Sequence, residues 1–338
     1  MKVLYAIQGT GNGHVSRARE VIPYLKSMCD VDIFLSGANT NIPLPCEVKY
    51  KSKGFSFEYN KKGGLDYLNT LSKTNPRRLW KEINDFPVED YDLIINDFEC
   101  ITAYAARKKH IPVMAFSHQA ALLSGFTPKP AGVNLMGNFV LERYAPTQYA
   151  VGLHFREYDD YIFTPIIRKE VRQLQPFDGG HYTVYLPAVG DKDMLDILHK
   201  LPDVRWEVFS RTIKNPLIDK NVSIRPVQNE QFLRSLGSCS GILTGAGFES
   251  PAEALFLNKK VFVIPIKGQF EQACNAEALS HFGVPSVKKF NQDIIPVLKN
   301  WIECPQQIKI HFPDITEQLI EQMLFDHNPF FVPTLAVG

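Results

Sequence analysis

No two cysteines of this 338-residue chain stand at C-x-x-C spacing. The six, Cys29, Cys46, Cys100, Cys239, Cys274 and Cys304, are scattered without the density of a disulfide framework, so reduced thiols are expected. Charge of one sign is missing as well. Lys and Arg number 37 against 36 Asp and Glu, and a net charge of +1 gives no basic field for nucleic acid. No apolar run approaches the roughly 18–20 residues that span a bilayer, and no signal peptide is expected. Solenoid-length repeats and low-complexity tracts are lacking too. The expected location is cytoplasmic. The first 150 residues carry 18 Lys and Arg against 14 Asp and Glu, which would support at most a weak peripheral contact with an anionic membrane. What remains is an ordinary globular composition, 45% hydrophobic and 22% charged, in a chain long enough for two cores.

Short apolar runs alternate with amphipathic stretches in two series. The first places strands at Val3–Ile7, Val31–Leu35, Asp92–Asn96 and Val113–Phe116, with helices over Val15–Leu25 and Ile101–Lys109. Residues Gly54–Asn69 read as a loop entering a helix that runs to about Ile83. The second series has strands at Tyr182–Leu186, Trp206–Phe209, Val222–Ile224, Gly241–Leu243 and Val261–Ile264. Its helices are expected at Met194–Leu198, Glu230–Leu236, near Glu249, from Phe270, and over Ile294–Ile302 and Ile315–Leu324. Such alternation predicts α/β parallel sheets with ligands at the carboxyl ends of their strands. The expected divisions are 1–155, a hinge region over 156–180, 181–325, and a Pro- and Phe-rich tail over 326–338.

The densest information lies in Leu243–Ala276. A buried strand runs into small residues (Gly245, Ala246, Gly247, with Phe248) and then into a helix at Glu249 and Ser250. Small residues let a ligand approach backbone N–H groups, and a helix start offers unpaired donors and partial positive charge to an anion. That is a seat for a diphosphate.

The same run resembles the donor-binding segment of nucleotide-sugar glycosyltransferases of the two-domain GT-B fold, families one and twenty-eight, the latter including the muropeptide N-acetylglucosaminyltransferases. The matches are Ser250-Pro251-Ala252-Glu253-Ala254, a strand ending at Pro265, and Glu271-Gln272-Ala273-Cys274-Asn275-Ala276. Asn258 and Lys260 replace the usual Gly and Pro of the intervening turn. The resemblance implies two Rossmann-like parallel-sheet domains facing a cleft, with 1–155 on the acceptor side and 181–325 binding the nucleotide sugar. It implies that Glu253 holds the ribose hydroxyls, Glu271 and Gln272 the sugar hydroxyls, and the backbone at Val227 and Gln228 the base. Gly190 and Arg211 are second-rank candidates for the diphosphate rim. Glu249 is a point of tension, because a carboxylate beside a diphosphate would repel it.

Gly9-Thr10-Gly11-Asn12-Gly13-His14 is not a dinucleotide fingerprint. The third glycine would fall on His14, and the second strand ends in Ser36-Gly37 rather than in the acid that grips a ribose. The loop resembles instead the Gly-rich turn of GT-B transferases, with Gly11 and Gly13 beside the donor and His14 at the general-base position of inverting members. The alternative for His14 is a residue that merely starts the helix. Asp97, at a strand end, would hold and charge-stabilise that base by the same resemblance, or cap the helix that starts near Glu99. A retaining enzyme would carry Glu where Gly245 stands, so inversion is implied. The Asp-x-Asp pairs at Asp30, Asp90 and Asp191 read as strand and helix flanks rather than as metal ligands. His118 would either meet the acceptor or be a polar loop residue. Phe55, Phe57, Tyr59, Tyr67 and Trp80 suggest an aromatic acceptor side or ordinary core.

The expectation is an inverting, metal-independent glycosyltransferase with no cofactor. Its donor would be a nucleoside diphosphate sugar, UDP-sugar by preference. Its acceptor would be a glycan, a lipid-linked molecule or a small molecule. The alternatives are a nucleotide-sugar epimerase of the same fold and a non-catalytic sugar-nucleotide-binding protein.

Overall fold

Both series of apolar runs close into parallel sheets in the computed structural model, which describes residues 1–10, 12–37, 43–54, 75–132, 134–305 and 308–325. The first sheet is built from β1 (Lys2–Gln8), β2 (Asp30–Ser36), β3 (Tyr50–Ser52), β4 (Leu93–Asp97), β5 (Val113–Ser117), β6 (Tyr149–Leu153) and β7 (Ile162–Phe163). Its order is β3-β2-β1-β4-β5-β6-β7, parallel throughout. Among its helices are α1 (Asn12–Met28), α2 (Pro76–Asp85), α3 (Cys100–Lys109), the single turn α4 (His118–Ala121) and α5 (Leu135–Arg143). The inner strands are buried on both faces, as the unbroken apolar runs of β1 and β5 predict.

A short turn, α6 (Lys169–Arg172), leads to the second sheet: β8 (His181–Tyr185), β9 (Arg205–Ser210), β10 (Leu217–Asp219), β11 (Val222–Pro226), β12 (Gly241–Gly245) and β13 (Lys260–Ile264). Its order is β10-β11-β9-β8-β12-β13, with only β10 antiparallel. The helices are α7 (Asp191–Leu198), α8 (Asn229–Ser238), α9 (Glu249–Phe256), α10 (Phe270–Ser280), α11 (Ile294–Glu303) and α12 (Thr316–Phe325). Asn258, in the turn between α9 and β13, has φ of 54°. Asn tolerates this left-handed conformation, so the turn forms without the glycine usual there.

In each sheet the chain first winds to one side and then returns to the other. The reversal falls between β1 and β4 in the first sheet and between β8 and β12 in the second. The carboxyl ends of strands at such a reversal frame a crevice; of these strands β1 and β8 precede His14 and Gly190, and β4 and β12 end at Asp97 and Gly245. Two features cross the expected divisions. Strand β7 falls within 156–180 yet pairs with β6 in the first sheet. Helix α12, within 181–325, packs on α1, and one apolar cluster runs from Val15, Val21 and Leu25 to Leu319, Ile320 and Met323.

Candidate active site

Asp97 ends β4 opposite Ile7 of β1 and is fully buried. It does not cap the next helix. Glu99 does, accepting from the N–H groups of Ile101 and Thr102 at 2.9 and 2.7 Å. Phe98, with φ of 56°, makes the turn between them and leaves the Asp97 carboxylate facing the start of α1. There its Oδ1 lies 2.8 Å from His14 Nδ1. The ionised carboxylate at 2.8 Å favours the proton on Nδ1 over the longer approach of Arg17 Nη2 to the same nitrogen at 3.1 Å, which leaves the Nε2 lone pair free in the neutral ring. Burial pushes the imidazole pKa down, but the charge and hydrogen bond of Asp97 push it up further, and the net shift is upward. For Asp97 burial raises the pKa, but Arg17 and His14 together hold it below the usual carboxylate range.

Arg17 is the residue that the sequence did not single out. One turn beyond His14, it donates from Nη2 to both Asp97 oxygens, at 2.7 and 2.9 Å, and from Nη1 to Glu249 Oε1 at 2.6 Å. It therefore ties the first sheet's base pair to the start of α9. A Cβ on Gly13 would stand 2.5 Å from Glu249 Oε2, so the carboxylate lies where a larger residue at position 13 would displace it. Gly11 lies outside the described residues.

On its other side His14 faces the second sheet's unit. Gln119 Nε2 stands 3.5 Å from His14 Nε2 and donates to Glu271 Oε2 at 2.9 Å. Gln272 Oε1 accepts from the Ile266 N–H at 2.9 Å, beside Gly245. Asn275 Nδ2 donates to Ala246 O at 3.0 Å and its Oδ1 lies 2.6 Å from His118 Nε2. His118 stacks on Phe248 with ring centroids 4.1 Å apart and is buried. It is a buried strut between the units, in the turn that follows β5 rather than on an exposed loop. Ser250 is half-buried in the first turn of α9.

Glu253, expected at the ribose, is buried one turn into α9 and held by Arg168, with Nε to Oε1 at 2.5 Å and Nη2 to Oε2 at 2.8 Å. Gly190, Arg211, Val227 and Gln228 are exposed and follow β8, β9 and β11 at the same edge of the sheet as Gly245. Gly190 precedes α7, whose first residue Asp191 accepts from Ser210 Oγ at 2.7 Å. The Val227 N–H donates to Ser210 O at 3.2 Å. Of the aromatics, Trp80 is exposed on α2, and Phe55, Phe57, Tyr59 and Tyr67 lie outside the described residues. Asp32, of the first Asp-x-Asp, accepts from Lys49 and Tyr91. Among the described residues no three His, Cys, Asp or Glu side chains are grouped to hold a metal ion, and no helix is long and apolar enough to cross a membrane.

The arrangement can take a proton at His14 Nε2, stabilise the resulting charge through Asp97, and receive an anion at the start of α9. A family model described as Glycosyl transferase family 1 matches residues 1–299. No curated protein matches the sequence. Among solved structures, Phytolacca americana UGT2 complexed with UDP-2fluoro-glucose and pterostilbene is similar at 14% identity and a TM-score of 0.58, over 89% of this chain and 90% of that one. The spinosyn forosaminyltransferase SpnP is similar at 15% identity and 0.58, over 96% and 94%. A UDP-N-acetylglucosamine 2-epimerase is similar at 12% and 0.55, over 96% of each chain. At these identities the likeness is one of fold, and the fold is GT-B.

Proposed function

The chain belongs to glycosyl transferase family 1, and from that premise we propose that it moves a sugar, with inversion and without a metal ion, from a nucleoside diphosphate sugar to an acceptor hydroxyl. His14 Nε2 takes the hydroxyl proton as the acceptor oxygen attacks the anomeric carbon. The bond from that carbon to the phosphate oxygen breaks on the opposite face, and the nucleoside diphosphate leaves with the electron pair toward the start of α9. Asp97 stabilises the imidazolium, and fixed backbone donors meet the developing charge where a metal would otherwise stand.

The observation that carries this reading is the 2.8 Å contact of His14 Nδ1 with the buried Asp97, which turns Nε2 toward Gln119 and Glu271 at the junction of the units. In this reading Glu271, linked through Gln119 to that nitrogen, and Gln272, beside Gly245, take the sugar hydroxyls, and Glu253 and the Val227–Gln228 backbone take the nucleoside. A UDP-sugar is the donor class we favour, since the Phytolacca americana structure of the same fold holds a UDP-sugar analogue. The acceptor is a glycan, a lipid-linked molecule or a small molecule, and the reaction is placed in the cytoplasm.

The test is a panel of UDP-, dTDP- and GDP-sugars, first by thermal shift and then with mixed acceptors in the presence of EDTA. An anomeric configuration opposite to that of the donor, with rate unaffected by the chelator, is the expected result. Retention, or a strict metal requirement, would sink the mechanism. Conversion of a donor sugar with no acceptor present would instead identify an epimerase.

A further inference from the structure

The place where positive charge converges in this site already holds an anion, and the chain itself supplies it. Glu249 is the first residue of α9, and its Oε1 accepts from Arg17 Nη1 at 2.6 Å. Its Oε2 lies against the first turn of α1 at Gly13. Helix α9 begins without a side-chain cap, since Phe248 at that position has no acceptor, and Pro251 in its first turn brings no N–H. Two helix starts, each with a partial positive charge, thus meet a buried guanidinium around one carboxylate. The two partners are unequally fixed. Arg17 is 3% exposed in its side chain and anchored by both oxygens of Asp97, whereas the Glu249 side chain is 27% exposed and has Arg17 as its ion-pair partner.

We propose that Glu249 is a displaceable stand-in for the diphosphate of the donor, and that Arg17 receives that diphosphate once Glu249 has swung away. The inference rests on the reading above, in which Gly245–Ser250 seats a nucleoside diphosphate. Two anions competing for one guanidinium repel each other, so occupancy is exclusive: the carboxylate holds the units together when no donor is bound, and the diphosphate takes over that bridge when one is. The tension between Glu249 and a diphosphate is thereby the switch itself. No covalent bond changes at either residue. Arg17 is a binding and positioning group that couples the departing charge to Asp97, the carboxylate that steadies protonated His14.

Calorimetry with inorganic pyrophosphate, UDP and dTDP tests this on the full chain, for the wild type, Glu249→Gln, Glu249→Ala and Arg17→Lys. Both Glu249 variants are expected to bind at least one probe about tenfold more tightly, the change that ~1.4 kcal/mol of relieved competition gives. Arg17→Lys keeps a charge against Asp97 but loses the fork, and is expected to bind about tenfold more weakly than wild type. A merely structural Glu249 would not give a gain. Wild-type binding of UDP with equal or weaker binding by both Glu249 variants overturns the stand-in and leaves the glycosyltransferase reading intact. Pyrophosphate binding gained in Glu249→Ala, with no nucleotide bound by any form, supports the anion site and counts against the nucleotide reading. Absence of binding of every probe by every form overturns both.

Discussion

Arg168 grips Glu253 with two parallel hydrogen bonds, one to each carboxylate oxygen. A ribose-binding Glu253 would therefore act from a position fixed by the segment that joins the units. Each oxygen keeps a second lone pair for a hydroxyl. Glu253→Ala is expected to weaken nucleoside diphosphate binding by about 1.5–3 kcal/mol and also to lower stability, because Arg168 would keep Asn229 and Glu170 as its side-chain partners among the described residues. Calorimetry and a denaturation midpoint separate the two effects. Lost stability with unchanged affinity would assign Glu253 to the joint alone.

The pH dependence of turnover should bear the mark of Asp97. Burial lowers the His14 pKa, Asp97 raises it by more, and the net value lies above that of an ordinary imidazole, about 6.5. A base acts only when deprotonated, so the rate is expected to fall as pH drops through that raised value. His14→Ala should lose about 10²–10⁴-fold in kcat together with this limb, while donor affinity moves little. Asp97→Asn should lose less and shift the limb to lower pH. In folding terms the raised pKa stabilises the native state below the unfolded value, a contribution lost as pH climbs through the folded one. Near-wild-type kcat in His14→Ala, with the limb intact, would reduce His14 to a helix-start residue.

Gln272 should discriminate sugars rather than phosphates. Its Oε1 holds the Ile266 N–H, which fixes the side chain beside Gly245. Gln272→Ala is expected to spare the affinity for bare nucleoside diphosphate and to reduce that for the correct sugar nucleotide. It should also lose about 1 kcal/mol of stability with that hydrogen bond. Titration of both ligands tests this, and equal losses would contradict a role at the sugar.

Removal of Arg17 should expose the cost of a buried charge. Arg17→Met leaves Asp97, at 0% exposure, with His14 as its remaining side-chain partner among the described residues, a partner charged only when protonated. Breaking a buried pair from one side costs about 3–5 kcal/mol, which a urea midpoint would read. A midpoint within error of the wild type would mean that His14 alone satisfies Asp97.

The fold was legible wherever an apolar run met a clear boundary. β1, β4, β12 and β13 fall within about two residues of their expected limits, α9 opens where expected, and the two sheets follow from that alternation. Helix α5 was not foreseen, because Leu135, Met136 and Phe139 are exposed and its apolar residues do not mark an inward face. β7 and β10 have two and three residues, too few to show a period. At the site, His14 was singled out by the likeness of its Gly-rich turn to that of GT-B transferases, and Asp97 as an acid at the end of a buried strand. Arg17 left a usable signal in its i, i+3 spacing from His14 on one helix face. Gln119 and Arg168 left none, since their partners Glu271 and Glu253 are 152 and 85 residues away and no local pattern encodes such pairs.

Helix α12 returns to lie on α1, the helix that carries His14 and Arg17 at its other end. The polypeptide thus passes between the two units twice, once around Arg168 and again between Glu303 and Thr316. Two tethers act on a pair of rigid bodies as two pins act on a door: twisting and sliding stretch one or the other, and swinging about the line through both is the motion left soft. Two crossings therefore limit how far the helix that carries His14 and Arg17 can part from the unit that carries Glu249 and Glu271.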